Sequence, residues 1–331
     1  MRIWICSFLL CGYAQWALAQ DQPAPDVTGP APEATTPPAE TPPAAAPQET
    51  ALRVEHVAGN VYMLEGKGGN IGVSVGPDGL LMVDDQFASE SEQIQQALAA
   101  LGKGTVKYVL NTHWHRDHTE GNQVFGLAAP VIAHTQVRKR LEVEKYVPEA
   151  LPVITYENAV SVHFNGEEIR VIHVTDGHTD GDSIVYFVNS NVLHLGDQFF
   201  SGRLPFIDLD SGGSVEGYLE NVSEILGQAP PDVLIIPGHG PLSTVTELKD
   251  FETMLTETIK LVQSQIRNGK KLDAIQEAGL PAPWSTWAWE FIDEDKYLEI
   301  LFNGLTKGRR RTAPTAMPQV PAAQRPLKLI R

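Results

Sequence analysis

Between positions 113 and 118 the chain places three imidazoles and a carboxylate, in the run His113-Trp114-His115-Arg116-Asp117-His118. In extended backbone, side chains two residues apart point the same way, so His113 and His115 can grip one cation together. The chain must then turn, which lets Asp117 and His118 approach from another angle and serve a second cation nearby. Neutral imidazole is the commonest metal ligand, and packing does not account for so dense a cluster. Further on, His178 stands in Asp176-Gly177-His178-Thr179-Asp180-Gly181-Asp182, Asp197 in Leu195-Gly196-Asp197-Gln198, and His239 in Pro237-Gly238-His239-Gly240. Each follows a β-type run, and the glycines give these loops freedom to turn a side chain inward. These three are the candidates to complete the ligand set.

The elements that must position them read as two similar halves. Val54 to Val57, Val61 to Glu65, Ile71 to Val75 and Leu80 to Asp84 are short β-type runs separated by glycine-containing turns, an antiparallel meander. A helix is expected over Ser89 to Leu101, with Ser89 as N-cap and Gly102 as stop. Strands Val106 to Leu110 and Val131 to Ala133 follow, then a helix from Thr135 to about Lys145. The second half repeats the plan with strands Val160 to Phe164, Glu168 to Val174, Ser183 to Val188 and Val192 to Leu195. A helix over Val215 to Leu226, a strand over Val233 to Ile236 and helices between Thr246 and Leu305 complete it. The simplest packing is two sheets face to face with helices outside.

The ends differ from this middle. Residues 1–19 read as a secretory signal: Arg2, an apolar stretch from Ile3 to Leu18, and the small-x-small site Ala17-Leu18-Ala19. Export to the periplasm or beyond follows; lipid attachment at Cys11 is disfavoured because Leu10 is large for such a site. Residues 20–50 hold nine prolines, seven alanines and five acids, a composition that cannot offset ordering entropy and reads as a spacer. Residues 51–306 form the folded domain, and residues 307–331 a basic, proline-containing tail suited to an anionic surface or to no partner at all. The chain has 331 residues and a net charge of -16. With Arg2, the five linker acids and the seven tail bases set aside, residues 51–306 carry -19. So acidic a domain argues against a nucleic-acid partner and leaves a small-molecule substrate. The only cysteines, Cys6 and Cys11, belong to the signal, so the ligands must be nitrogen and oxygen.

Together these motifs resemble the metallo-β-lactamase-fold hydrolase superfamily over about Leu52 to Leu305: Asp84 closing an early strand, the HxHxDH run, His178, Asp197 and His239, in that order. The resemblance implies an α/β (α+β) fold, the αββα four-layer sandwich, with the site along one edge of the paired sheets. It implies His113, His115 and His178 on one metal, Asp117, His118 and His239 on a second, Asp197 bridging them, and Asp84 supporting from behind. Two Zn2+ ions are the expected cofactors; iron or manganese also suits nitrogen and oxygen donors. The glyoxalase-II-like ligand set includes the aspartate that cysteine-liganded β-lactamases replace.

Such a set implies a dinuclear zinc-dependent hydrolase. A metal-bound water ionises near pH 7, at about that value in zinc enzymes, and a bridging hydroxide can attack an acyl carbon of an ester, lactone, thioester or amide. Asp117 is the expected catalytic residue, orienting the hydroxide and relaying a proton to the leaving group. The alternatives are a β-lactamase opening the β-lactam amide, and a non-catalytic metal-holding envelope protein, against which the complete ligand set argues. His194, two residues before Gly196, is a candidate to orient a ligand from behind. Phe199, Phe200 and Arg203 are pocket candidates, Arg203 for a substrate carboxylate. Trp114 reads as a packing residue; Trp284, Trp287 and Trp289 could wall a substrate pocket, but docking the last helices onto the core is the commoner use.

Overall fold

Tight turns cut the first part of the domain into strands short enough to pair with their neighbours. In the computed structural model, which describes residues 52–102 and 104–307, β1 (Arg53–Ala58), β2 (Val61–Glu65), β3 (Ile71–Gly76) and β4 (Gly79–Val83) pair antiparallel in sequence order. Beyond β4 the pairing turns parallel: β5 (Val106–Leu110), β6 (Val131–His134) and β7 (Ile154–Tyr156) each join the preceding strand after a crossover. The crossovers contain α1 (Ser91–Leu101), the single turns α2 (Arg116–Thr119) and α3 (Asn122–Phe125), and α4 (Thr135–Val143). The second sheet begins with the antiparallel β8 (Ala159–Phe164), β9 (Glu167–His173), β10 (Ser183–Phe187) and β11 (Val192–His194). It ends with β12 (Leu234–Ile236), parallel to β11, and the short β13 (Ser243–Thr244). Helices α5 (Val215–Gln228), α6 (Val245–Arg267), α7 (Leu272–Ala278) and α8 (Glu294–Lys307) cover its outer face.

Strand alternation produces the layers. In β4, Leu81 and Val83 face inward against Val171, Val185 and Phe187 of the other sheet, while Leu80 and Met82 face outward onto Ile94 and Leu98 of α1. In β10, Val185 and Phe187 point inward and Ile184 and Tyr186 outward, toward a cluster with Val222 of α5, Phe251 of α6 and Leu298 of α8. Both faces of each central strand are therefore apolar, and these strands read as continuous hydrophobic runs. The result is the expected αββα four-layer sandwich. Among the described residues no helix is long and apolar enough to cross a membrane.

Several local expectations are corrected. Ser89 does not cap α1: a single 3₁₀ turn, Ala88–Glu90, precedes the helix, and the Ser89 hydroxyl donates to Glu90. α4 ends at Val143, before Lys145, which takes a left-handed conformation with φ +60°. β7 and β13 were not expected. α8 runs one residue past the predicted domain end at 306. The signal peptide, the linker, Cys11 and the tail beyond Lys307 lie outside the described residues.

Candidate metal centre

Strand ends deliver the ligands to one edge of the sandwich. β5 ends at Leu110, and Asn111 to His115 run on in non-helical backbone until α2 begins at Arg116. The one-turn helix swings Asp117 and His118 to a second side, and the Thr119 hydroxyl donates to the carbonyl of His115 at 3.0 Å, pinning the turn. His178 comes from the loop between β9 and β10, Asp197 from the turn after β11, and His239 from the loop after β12.

Two groups form. The potential ligand atoms of His113, His115, His178 and Asp197 all lie within 4.8 Å of one another, as do those of Asp117, His118 and His239. Asp197 faces both. Its Oδ2 is 3.4 Å from His178 Nε2 and 3.7 Å from His113 Nε2, while its Oδ1 is 3.1 Å from His118 Nε2 and 3.5 Å from His239 Nε2. Asp117 Oδ2 lies 3.2 Å from His239 Nε2.

The rear nitrogens show which face of each ring is available. His118 Nδ1 meets Asp84 Oδ2 at 2.8 Å, and His178 Nδ1 meets the Phe206 carbonyl at 2.8 Å. His115 uses the opposite nitrogen: Nε2 meets Asp208 Oδ2 at 2.9 Å, leaving Nδ1 toward the centre. His113 Nδ1 faces the Thr112 hydroxyl at 3.0 Å, whose own proton goes to Asp84 Oδ2 at 2.7 Å. A rear N–H that donates leaves the opposite nitrogen of that ring free to present a lone pair to a cation. His113 Nε2, His118 Nε2 and Asp197 Oδ1 are buried with no hydrogen-bond partner. Converging, unpartnered lone pairs in a buried space are costly unless a cation lies between them, so this donor set fits a divalent metal.

Burial and the neighbouring charges set the protonation pattern. Burial lowers the affinity of His118 for a proton, but Asp197, Asp117 and Asp84 outweigh burial and raise its pKa well above the ordinary value. Burial and the nearby His118 push His113 well below. Asp197 is held well below the carboxylate range: burial opposes this, and His118 and His239 overcome it. Burial also opposes ionisation of Asp117, yet His118 and His239 bring it to about 2. The carboxylates are therefore anionic at neutral pH.

Other expected residues fall differently. Asp84 sits behind the ligands as the resemblance implied, accepting from the Thr112 N–H at 2.8 Å as well. His194 touches no ligand side chain; its Nδ1 accepts from the Gly196 N–H at 3.1 Å and its Nε2 reaches the Asn70 carbonyl at 3.0 Å, setting the backbone before Asp197. Gly196 has φ +51°, and a Cβ there would meet the Thr112 hydroxyl at 2.7 Å, so only glycine fits. Phe199 is no pocket residue: it points into the core against Phe251, with ring centroids 5.2 Å apart. Its neighbour Phe200 faces the centre and stacks on His239 at 5.2 Å. The Arg203 guanidinium lies 4.9 Å over the Trp289 ring, which is itself 5.6 Å from His239.

Asp208 and Phe206 were missed as site residues. Asp208 had no motif to mark it, being 93 positions from its partner His115. Trp289 packs against the core cluster as Trp284 and Trp287 do, and it also reaches the His239 ring.

With this geometry, residues 57–239 match the family model of the Metallo-beta-lactamase superfamily. The chain belongs to that superfamily. It is 36% identical over 139 residues to a hydroxyacylglutathione hydrolase of Prochlorococcus marinus (strain MIT 9312), covering 40% of this chain and 51% of that protein. It is 29% identical over 219 residues to a beta-lactamase-like protein 2 homolog of Drosophila melanogaster, covering 59% and 70% respectively. The chain spans about half the length of the hydroxyacylglutathione hydrolases it matches. Among solved structures, the DIM-1 metallo-beta-lactamase aligns with TM-score 0.55 at 20% identity over 62% of this chain and 97% of that one. A double mutant of the sec-alkyl sulfatase PisA1 aligns with TM-score 0.62 at 14% identity over 77% and 50%. At these identities the likeness is one of fold.

Proposed function

We propose that this chain is a dinuclear zinc-dependent hydrolase acting on an acyl substrate, an ester, thioester, lactone or amide. The observation that carries the reading is Asp197, whose two carboxylate oxygens face two separate ligand groups lined with unpartnered nitrogens. His113, His115 and His178 would hold one ion, Asp117, His118 and His239 the other, with Asp197 between them. Two such cations supply a nucleophile from water at neutral pH and stabilise the negative charge that develops on the acyl oxygen. Thr112, Asp84, Asp208 and the Phe206 carbonyl keep the imidazoles in one orientation and one tautomer. Asp117 is the more accessible carboxylate, its side chain 27% exposed against 5% for Asp197. Ionised at neutral pH, its Oδ2 can take the proton released by the attacking water and deliver it to the departing oxygen, sulfur or nitrogen as the acyl bond breaks. The described residues contain no cysteine, so the donors there are nitrogen and oxygen alone. The similarity to hydroxyacylglutathione hydrolases favours a thioester or ester within this class.

The test is metal analysis of the purified chain beside a panel of chromogenic thioester, ester, lactone, β-lactam and phosphodiester substrates. About two metals per chain are expected, with turnover abolished by chelation and restored by zinc. Asp117→Asn should lower kcat by at least about a hundredfold. Less than about one metal per chain, or turnover indifferent to chelation, overturns the proposal.

A further inference from the structure

One side of the mouth of the centre is built of aromatic rings that the ligand chemistry does not use. Trp289 lies 5.6 Å from the His239 ring, Phe291 5.6 Å from Trp289, Phe206 5.7 Å from Phe291, and Phe206 closes the arc at 5.8 Å from both His115 and His178. The arc therefore starts at a ligand of one group and ends at two ligands of the other. Phe291 is 52% exposed, a large apolar side chain turned to solvent in the segment before α8. Left in water this surface is unfavourable, and its position beside the ligands indicates what covers it.

Two cations accompany the rings. The Arg203 guanidinium lies over Trp289, and Lys296 Nζ lies 4.1 Å over Phe291 and 5.8 Å over Phe206 while donating to the Phe291 carbonyl at 2.9 Å. Arg203 forms no ion pair with a carboxylate among the described residues, whereas Arg53, Arg116, Arg138, Arg140 and Arg170 do. A guanidinium stacked on a ring keeps its edge N–H donors free for an anion.

Resting on the hydrolase reading, we propose that this arc is the substrate subsite, and that it takes the flat apolar body of an anionic acyl substrate. Phe206, Trp289 and Phe291 cover the body, and Arg203 engages its carboxylate. The acyl bond is then held beside Asp117 and Asp197 at the inner end of the arc. The subsite is specified by an aryl or comparable apolar group together with a negative charge.

Calorimetric titration of the metal-loaded chain with 2-naphthoate, 2-naphthamide and acetate tests this without relying on turnover. Naphthoate should bind at least about tenfold more tightly than acetate, which carries the carboxylate without the rings. Phe291→Ala should weaken naphthoate about tenfold and leave acetate unmoved, with Phe291→Leu recovering part of the loss. Arg203→Gln should weaken naphthoate and not naphthamide. Because Phe291 is half exposed, its truncation leaves the core intact, and an unchanged thermal midpoint verifies that. Equal binding of acetate and naphthoate, or naphthoate binding indifferent to Phe291→Ala, overturns the subsite. Naphthoate binding indifferent to Arg203→Gln overturns the anionic specification. Naphthoate binding as expected with no turnover of any panel substrate sinks the hydrolase reading and leaves the subsite standing; turnover with no preference for aryl substrates does the reverse.

Discussion

Asp197 and Asp208 separate two ways in which a carboxylate can serve this centre. Asp197 presents an oxygen to each ligand group, so removing it should strip both sites: Asp197→Ala is expected to lower bound zinc below about one per chain and activity by orders of magnitude. Of the ligand side chains the Asp208 carboxylate meets His115 alone, at the rear of its ring; burial opposes ionisation of Asp208 but the bonds from His115 and Ser211 bring it to about 2. Asp208→Asn keeps the shape and loses the charge. It should weaken one zinc by about 10- to 100-fold and spare the other, which competition with a chromogenic chelator would show as one weak and one tight ion. Equal weakening of both would assign His115 and His118 to a single ion. The contrast explains what the sequence made legible at this scale. Metal ligands announce themselves because their chemistry restricts residue type and their motifs are short: the run from His113 to His118 is compact, and His178, Asp197 and His239 each sit beside glycine. Asp208 and Trp289 reach the ligands His115 and His239 across long sequence separations, and nothing in their local sequence encodes it.

The elements that carry these residues were readable where burial imposes a pattern. β4 and β10 are buried on both faces and appear as unbroken apolar runs, and α5 and α6 alternate with helical spacing. β7 was not readable: Ile154 and Thr155 are exposed, and pairing with β6 alone makes them a strand. The stacked imidazoles of His134 and His173 form a second feature of this scale, joining β6 of one sheet to β9 of the other with centroids 3.7 Å apart and planes 6° from parallel. Burial, then the nearby His173, lowers His134 to about 4. The ordinary value is 6.5, so between pH 6.5 and about 4 the unfolded chain binds more protons than the folded one. Stability conferred by keeping this ring neutral is complete above 6.5 and is lost as pH falls toward 4. The loss should be on the order of 2–3 kcal/mol. Denaturant melts of wild type and His134→Asn across that range should converge as the pH falls, with the wild type steeper; parallel curves would rule the pair out as the source.

For the whole molecule, the two halves of the chain are joined twice, by the apolar layer between the sheets and by the ligand set. His113, His115, Asp117 and His118 follow β5 of the first sheet, whereas His178, Asp197 and His239 issue from the second. A cation held by both groups therefore crosslinks the sandwich at its edge, where the apolar layer ends. Without it, His113 Nε2 of the first sheet, buried with no hydrogen-bond partner, stands 3.7 Å from Asp197 Oδ2 of the second. Binding to the folded chain alone stabilises it by about 2.7 kcal/mol when free metal stands at a hundred times its dissociation constant. In a domain of this size that corresponds to about 5–10 °C in Tm. Chelation of the loaded chain should lower Tm by this amount, and added zinc should restore it. Asp197→Ala should melt near the chelated wild type and respond to neither treatment, because it lacks the carboxylate that both sheets' ligands share. A variant that still gained several degrees from zinc would show that the imidazoles of the two sheets hold the metal without Asp197.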